Sequence, residues 1–171
     1  MNYLKQYNIP FAGLKAGKHN FHFHIDKEFL SHFNFPDVGD ISADLDFSLE
    51  KQSTMLTLIF QIGGTVKTLC DLCADDLNLP IQINEELIIK FGQEKKEVSE
   101  KITVIPFSET EFDISQYIYE FITFAIPLKK VHLQGKCNKE TLKKLNEIKS
   151  QTEKKEKIDP RWQELLKLNL S

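Results

Sequence analysis

The sequence predicts an α+β fold: an antiparallel sheet or a partly open β-barrel, followed by C-terminal helices. Between residues 20 and 91, apolar and polar residues alternate in runs separated by short polar connections, which is typical of half-buried antiparallel strands. After residue 112 the apolar spacing changes to that of helices. With 171 residues, 41% of them hydrophobic, the chain is long enough for one domain with a substantial core.

Five strand segments are expected in the first half of the chain. The first two have an apolar side chain at every second position, so one face should be buried and the other solvated. His22 and His24, for example, lie opposite the apolar face of the first segment. Gly63-Gly64 permits a bend or bulge, because glycine tolerates unusual backbone angles. The segments are residues 20–26, 41–50, 54–62, 65–70 and 79–91, with a turn at residues 36–40 and the last segment antiparallel to the one before it.

Helices dominate the predicted second half. A helix over residues 113–126 has Asp113 as its N-cap and Pro127 as its stop. Its apolar face consists of Ile114, Tyr117, Ile118, Phe121, Ile122 and Ala125. The other segments are a polar, mobile loop at residues 92–101, a short edge strand at 102–107, an exposed helix at 139–148, a charged linker at 151–157 and a terminal helix at 159–168.

Charge divides the chain into an acidic body, residues 1–126, and a basic tail of the same domain, residues 127–171. The body carries 10 lysines against 19 acidic residues, and the tail carries 11 lysines and Arg161 against 6 acidic residues. A basic tail suits an acidic partner such as RNA or an acidic protein patch, although a solvated lysine/glutamate helix surface explains the composition equally well.

Cys70-Asp-Leu-Cys73 is the one motif with evident chemical content. Two thiolates three residues apart form half of a structural zinc site, and Cys137 and His132 are the available partners for the other half. The sequence therefore predicts a structural Zn²⁺ held by Cys70, Cys73, His132 and Cys137. Such a site would join the sheet to the start of the basic tail.

Two other interpretations of the cysteine pair remain open. Redox chemistry normally places the pair at the start of a helix, whereas acidic residues and a strand follow here. Simple burial of Cys70, with Cys73 as an incidental turn residue, accounts for the same pattern. For His22 and His24, no partner ligands stand nearby in the sequence, which favours ordinary surface histidines over a second metal site.

Several functional classes lack support. The seven glycines form neither a dinucleotide-binding nor a P-loop pattern, so no small-molecule substrate is evident. No esterase, zinc-protease or paired-carboxylate signature is present, and we expect no enzymatic activity. The odd number of cysteines, 3, and the lack of a secretory signal or apolar membrane span predict a cytoplasmic protein with reduced thiols.

The chain resembles the YceD family of bacterial and plastid proteins, named for large ribosomal RNA subunit accumulation. Similar features are the segment from Gly64 through the cysteine motif, the apolar helix ending at Ala125-Ile-Pro127, and the closing segment at residues 158–168, which has the form seen in the Bacteroidetes-like branch. Two departures are Leu72, where the family often has arginine, and Cys137, which stands alone where many members carry further cysteines.

The resemblance implies a non-enzymatic role in 23S ribosomal RNA accumulation or maturation and in large-subunit assembly. The expected partners are 23S rRNA or its precursor, a large-subunit ribosomal protein, or both. Alternatives are a chaperone for a ribosomal protein without RNA contact and, least favoured, an RNA-processing enzyme. Trp162 equally suits stacking on a base and docking on the protein's own sheet. The residues expected to contact the partner are Lys129, Lys130, Lys136, Lys139, Lys143, Lys144, Arg161 and Trp162.

Overall fold

The computed structural model describes residues 3–33 and 39–153. The strands are β1 (Asn8–Ile9), β2 (Gly17–Ile25), β3 (Asp40–Lys51), β4 (Met55–Leu69), β5 (Asp76–Gly92), β6 (Lys96–Ser99), β7 (Ile102–Pro106) and β8 (Phe112–Asp113). The helices are a 3-10 turn (Tyr3–Tyr7), α1 (Lys27–Ser31), α2 (Ser115–Ala125) and α3 (Lys139–Glu153). Six strands form one sheet in the order β2-β3-β4-β5-β7-β6. The α+β class is confirmed, and the sheet is open and mostly antiparallel.

Strict alternation in β3 and β4 builds the core. Leu45 and Phe47 of β3 and Phe60 and Ile62 of β4 are at most 1% exposed, and the residues between them face outwards. β2, β3, β4 and β5 pair consecutively and antiparallel, as the sequence predicted for β4 and β5. The 3-10 turn, α1 and α2 contribute buried residues to the same core.

The bulge that Gly63-Gly64 would permit does not form. β4 pairs with both neighbours through this point without a register shift. The structure gives Gly64 another role: a Cβ at this position would lie 2.4 Å from the Ala43 Cα and from the Ser42 carbonyl oxygen. Glycine is therefore required here for close approach of β4 to β3.

The region after β5 also differs from the prediction. The expected mobile loop contains β6, a strand whose four residues are all exposed. β7 is not an edge strand, because it lies between β5 and β6 and pairs parallel to β5. β6 forms by pairing with β7 and not by burying an apolar face of its own, which is why its sequence lacks strand periodicity.

Helix α2 begins two residues later than predicted and covers the core with the expected face. Ile118 and Ile122 are buried. Ile114, and not Asp113 as predicted, is the N-cap residue, although the Asp113 carboxylate accepts the backbone N–H of Ser115 at 2.8 Å. The helix ends at Ala125 because Ile126, which precedes Pro127, is extended.

The N-terminal segment has an order that the sequence did not indicate. β1 pairs antiparallel with β8, and the Tyr7 ring is completely buried. Asp26 caps α1 by accepting the backbone N–H of Phe29 at 3.1 Å, and it also accepts the Tyr3 hydroxyl at 2.8 Å.

Helix α3 extends five residues beyond its predicted end. None of the described helices is long and apolar enough to cross a membrane. Several predictions concern residues outside those described: most of the turn at residues 36–40, the end of the linker at 151–157, the terminal helix at 159–168, Arg161 and Trp162.

Candidate metal centre

The Cys-x-x-Cys motif forms a tight turn between β4 and β5. The backbone N–H of Cys70 donates to the Asp75 carbonyl at 2.9 Å, and that of Ala74 donates to the Cys70 carbonyl at 2.8 Å. Ala74 has a φ of 59°, which is unusual for a residue with a side chain. Both thiols of the motif are buried, at 2% and 3% exposure.

The segment after α2 brings two more ligand-type side chains to this turn. Cys70, Cys73, His132 and Cys137 offer ligand atoms that all lie within 4.8 Å of one another. The Sγ atoms of Cys70 and Cys137 are 3.9 Å apart, and the Nδ1 of His132 is 3.4 Å from the Cys73 Sγ and 3.9 Å from the Cys137 Sγ. The four residues predicted as ligands therefore meet in space, and we call them the Cys/His cluster.

These separations fit a tetrahedral metal. Ligand atoms about 2.0–2.3 Å from a tetrahedral zinc ion lie roughly 3.5–3.8 Å from one another. Three of the six separations in the cluster, at 3.4–3.9 Å, are close to that spacing, and all six are within 4.8 Å. Three thiolates and one imidazole are also a common donor set of structural zinc sites.

The orientation of His132 supports the same use. Its Nε2–H donates to the backbone carbonyl of Asp76 at 3.0 Å. With the proton on Nε2, the lone pair of Nδ1 points towards the thiols. A second hydrogen bond of this kind fixes the tautomer and ring orientation of most metal-binding histidines.

The cluster also perturbs the protonation of its own members. Burial raises the pKa of the Cys70 thiol, but backbone N–H groups donate to its sulfur and hold that pKa at about 6. The donors are the N–H groups of Cys73, Leu72 and His132. Burial and the adjacent Cys70 and Cys73 raise the pKa of Cys137 to about 11, and the side-chain interaction with Cys70 raises the pKa of His132. A bound divalent cation would reduce the electrostatic repulsion between the thiolates.

Asp71 ties the two halves of the cluster together and was missed at the sequence level. Its carboxylate accepts the backbone N–H of Lys130 at 2.6 Å, and its own backbone N–H donates to the Lys130 carbonyl at 2.7 Å. No local pattern identifies a backbone partner 59 residues away. An acidic residue inside the motif was the only available signal.

Around the cluster lies a small apolar group, separate from the main core. It contains Cys70, Cys73 and Leu77, with Val131 and Cys137 packed against them. This is little apolar surface compared with the core of the sheet. Hydrogen bonds and the ligand-type side chains therefore provide much of the stabilisation of the contact between the turn and the tail.

The lysines predicted to bind a partner follow this junction. Lys130 is half-buried and held by Asp71, whereas the other five predicted tail lysines are exposed: Lys129, Lys136, Lys139, Lys143 and Lys144. Asn138 caps α3 by accepting the backbone N–H of Glu140 at 3.0 Å, and the helix starts at Lys139, two residues after Cys137. The partner-binding role of these lysines stays a prediction.

His22 and His24 do not form a second metal-type group in the described part of the chain. The Nδ1 of His22 lies 2.9 Å from Asp46 and that of His24 lies 2.8 Å from Asp44, all on the exposed side of β2 and β3. The interpretation as surface histidines agrees with this arrangement.

Residues 58–169 match the model of a family described as large ribosomal RNA subunit accumulation protein YceD. The match covers more than half of the chain and includes the whole Cys/His cluster. No curated protein and no solved structure matches the chain.

Proposed function

The chain belongs to the YceD family, the large ribosomal RNA subunit accumulation proteins, and we propose that it acts there as a non-enzymatic binding protein. The Cys/His cluster holds one structural Zn²⁺, and the basic tail contacts 23S rRNA or its precursor. The observation that carries this proposal is the junction itself, where ligand-type residues of the body and of the tail meet immediately before the lysine-rich helix α3.

The donor set favours a structural role for the metal. Four protein side chains would complete the tetrahedron, whereas catalytic zinc sites keep one position open for water or substrate. Cys70 and Cys73 come from the turn between β4 and β5 of the body, and His132 and Cys137 from the tail. The bound ion would therefore fasten the tail to the body and fix where α3 begins.

Electrostatics favour the tail as the RNA-binding part. Residues 127–149 contain seven lysines and two glutamates, whereas the body is acidic. Lysine contacts with phosphates release counterions, so binding through them weakens steeply as salt rises. The acidic body would repel RNA and confine it to the tail.

Binding to 23S rRNA fragments at several salt concentrations tests the proposal. With several phosphate contacts, we expect affinity to fall about 1000-fold or more between roughly 50 and 200 mM salt. Replacing Lys139, Lys143 and Lys144 by glutamate should weaken binding at least about tenfold at the lower salt concentration.

The matched control replaces three exposed body lysines by glutamate, giving the same change in net charge: Lys18, Lys67 and Lys90. This control should bind RNA much more tightly than the tail variant. Equal weakening by the two triple variants, or affinity independent of salt, would contradict the role of the tail.

A chaperone that contacts only a ribosomal protein remains the alternative. A pull-down with and without nuclease separates the two functions. Ribosomal components that are lost on nuclease treatment support RNA binding, and a ribosomal protein retained after it supports the chaperone.

A further inference from the structure

One edge of strand β5 is only partly covered. β5 pairs with β4 along nearly its whole length, from Asp76 to Lys90. On the other side it pairs with β7 only from Ile88 to Gly92. Within the described residues, the stretch of β5 at 76–87 has no strand neighbour on that side.

The backbone groups of this stretch are directed outwards for pairing. The N–H of Ile88 donates to the Lys101 carbonyl at 2.8 Å, on the side of β7. Because backbone direction alternates along a strand, Gln82, Asn84 and Glu86 direct their N–H and C=O groups to the same side. All three residues are exposed. Pro80 directs its backbone to the same side, where no described strand lies, so its missing N–H costs no hydrogen bond to a described strand.

A groove of about 710 Å³ runs beside this edge and has an apolar wall from α2. Phe121, Phe124 and Ala125 form that wall, next to Ile83 of the strand. Phe124 is 84% exposed, a large apolar surface for a side chain on a helix that otherwise packs on the core.

The rim of the groove is strongly acidic. It carries Glu85, Glu97, Glu100 and Glu120, against the single cation Lys101, which lies 3.6 Å from Glu85. A neighbouring cavity of about 360 Å³ shares Glu97 and Glu120 and adds one cation, Lys95, and three further acids: Glu109, Glu111 and Asp113.

We propose that this edge of β5 is a docking site for an extended, lysine- or arginine-rich segment of a partner protein, which pairs with the edge as an added strand. Backbone hydrogen bonds to Gln82, Asn84 and Glu86 would give affinity, and alternate side chains would meet Phe124 and the acidic rim. RNA does not fit the site, because phosphates would face the glutamates. A second copy of the same edge would place like charges opposite each other.

The test measures binding of a fluorescein-labelled peptide of ten alternating lysines and valines to the full-length chain by fluorescence anisotropy. The wild-type protein should bind it. Glu97→Lys combined with Glu120→Lys should weaken binding at least about tenfold, and Phe124→Ala should weaken it severalfold without disturbing the fold.

Two controls separate strand addition from nonspecific charge attraction. Glu28→Lys combined with Glu50→Lys makes the same charge change away from the groove and should leave binding unchanged. The same peptide with N-methyl groups on all its amides keeps its charge but cannot donate to the edge, and should bind at least about tenfold more weakly. No binding to the wild type, or equal binding of the methylated peptide, would overturn the proposal.

Trp162 separates a partner segment from the chain's own C-terminus, because it is the only tryptophan and the peptide contains none. If the site is open to a partner, peptide binding should leave the tryptophan emission maximum unchanged. A red shift on binding would mean that the C-terminus had been displaced from the groove, and would refute a partner segment as the natural occupant.

Discussion

The core of the sheet and the Cys/His cluster are held together by different forces. The core buries whole aromatic rings, such as Phe47 and Phe60, whose centroids are 5.0 Å apart. The cluster buries few apolar groups and depends on three thiols, one imidazole and the Asp71–Lys130 hydrogen bonds. We therefore expect the body to fold without the metal, whereas the position of the basic tail should depend on it.

Removing an aromatic ring from the core should have the largest effect on unfolding. Phe60 is fully buried and contacts Phe47 and Phe121, so Phe60→Ala leaves a cavity and should lower the free energy of unfolding by about 3–5 kcal/mol. Urea denaturation followed by circular dichroism measures this. Phe107→Ala, at a ring that is 75% exposed, is the matched control and should change it by less than about 0.5 kcal/mol. A small effect at Phe60 would contradict the assignment of the core.

Losing one cluster ligand should separate the two regions. We expect Cys137→Ser and His132→Asn to abolish retention of the single zinc ion while shifting body unfolding by less than about 1 kcal/mol. Amides at residues 131–149 should exchange faster, because the tail has lost its attachment. Metal analysis and hydrogen exchange by mass spectrometry measure both effects.

His24→Asn is the control for this experiment, since His24 lies on the exposed sheet face, outside the cluster. It should keep one zinc per chain. Removal of zinc from the wild type with a chelator should reproduce the ligand variants. Cooperative unfolding of the body on chelation would show that core and cluster form one unit, and wild-type protein purified without chelator but free of metal would contradict the zinc site.

Sequence periodicity predicted the elements that have buried faces. β3, β4 and α2 were predicted because their buried side chains recur at regular spacing. Leu45 and Phe60 belong to rows with an apolar residue at every second position, and Ile118 belongs to a row with helical spacing. β6 was missed because it depends on pairing with β7 and has no buried side chain.

Only those residues of the cluster whose ligand-type side chains are rare in the sequence could be predicted. Three cysteines leave few ways to build a zinc site, so Cys137 and His132 were found by elimination. The contact of Asp71 with the Lys130 backbone depends on how the chain returns after α2, which no local pattern encodes. The open edge of β5 could not be predicted either, because it exists only since β7 pairs with β5 from Ile88 onwards.

The smallest predicted effect concerns Asp71, which touches neither the core nor the expected metal. Asp71→Ala leaves the Lys130 N–H without its 2.6 Å partner, while the backbone N–H of residue 71 can still donate to the Lys130 carbonyl. The segment that presents His132 and Cys137 is therefore held less firmly. We expect zinc affinity to fall about tenfold, in the range typical for residues that orient metal ligands, while body stability stays unchanged. Competition with a chromophoric chelator measures the affinity.

Two variants show whether the Asp71 hydrogen bond itself is responsible. Asp71→Asn keeps an acceptor oxygen and should restore most of the affinity, because the Lys130 N–H again has a partner. Asp75→Ala removes an exposed carboxylate of the same turn and should have little effect. If Asp75→Ala weakened zinc binding as much as Asp71→Ala, general loss of negative charge near the cation would explain both results. Equal affinity in the wild type and Asp71→Ala would mean that the four ligands hold the tail without this contact.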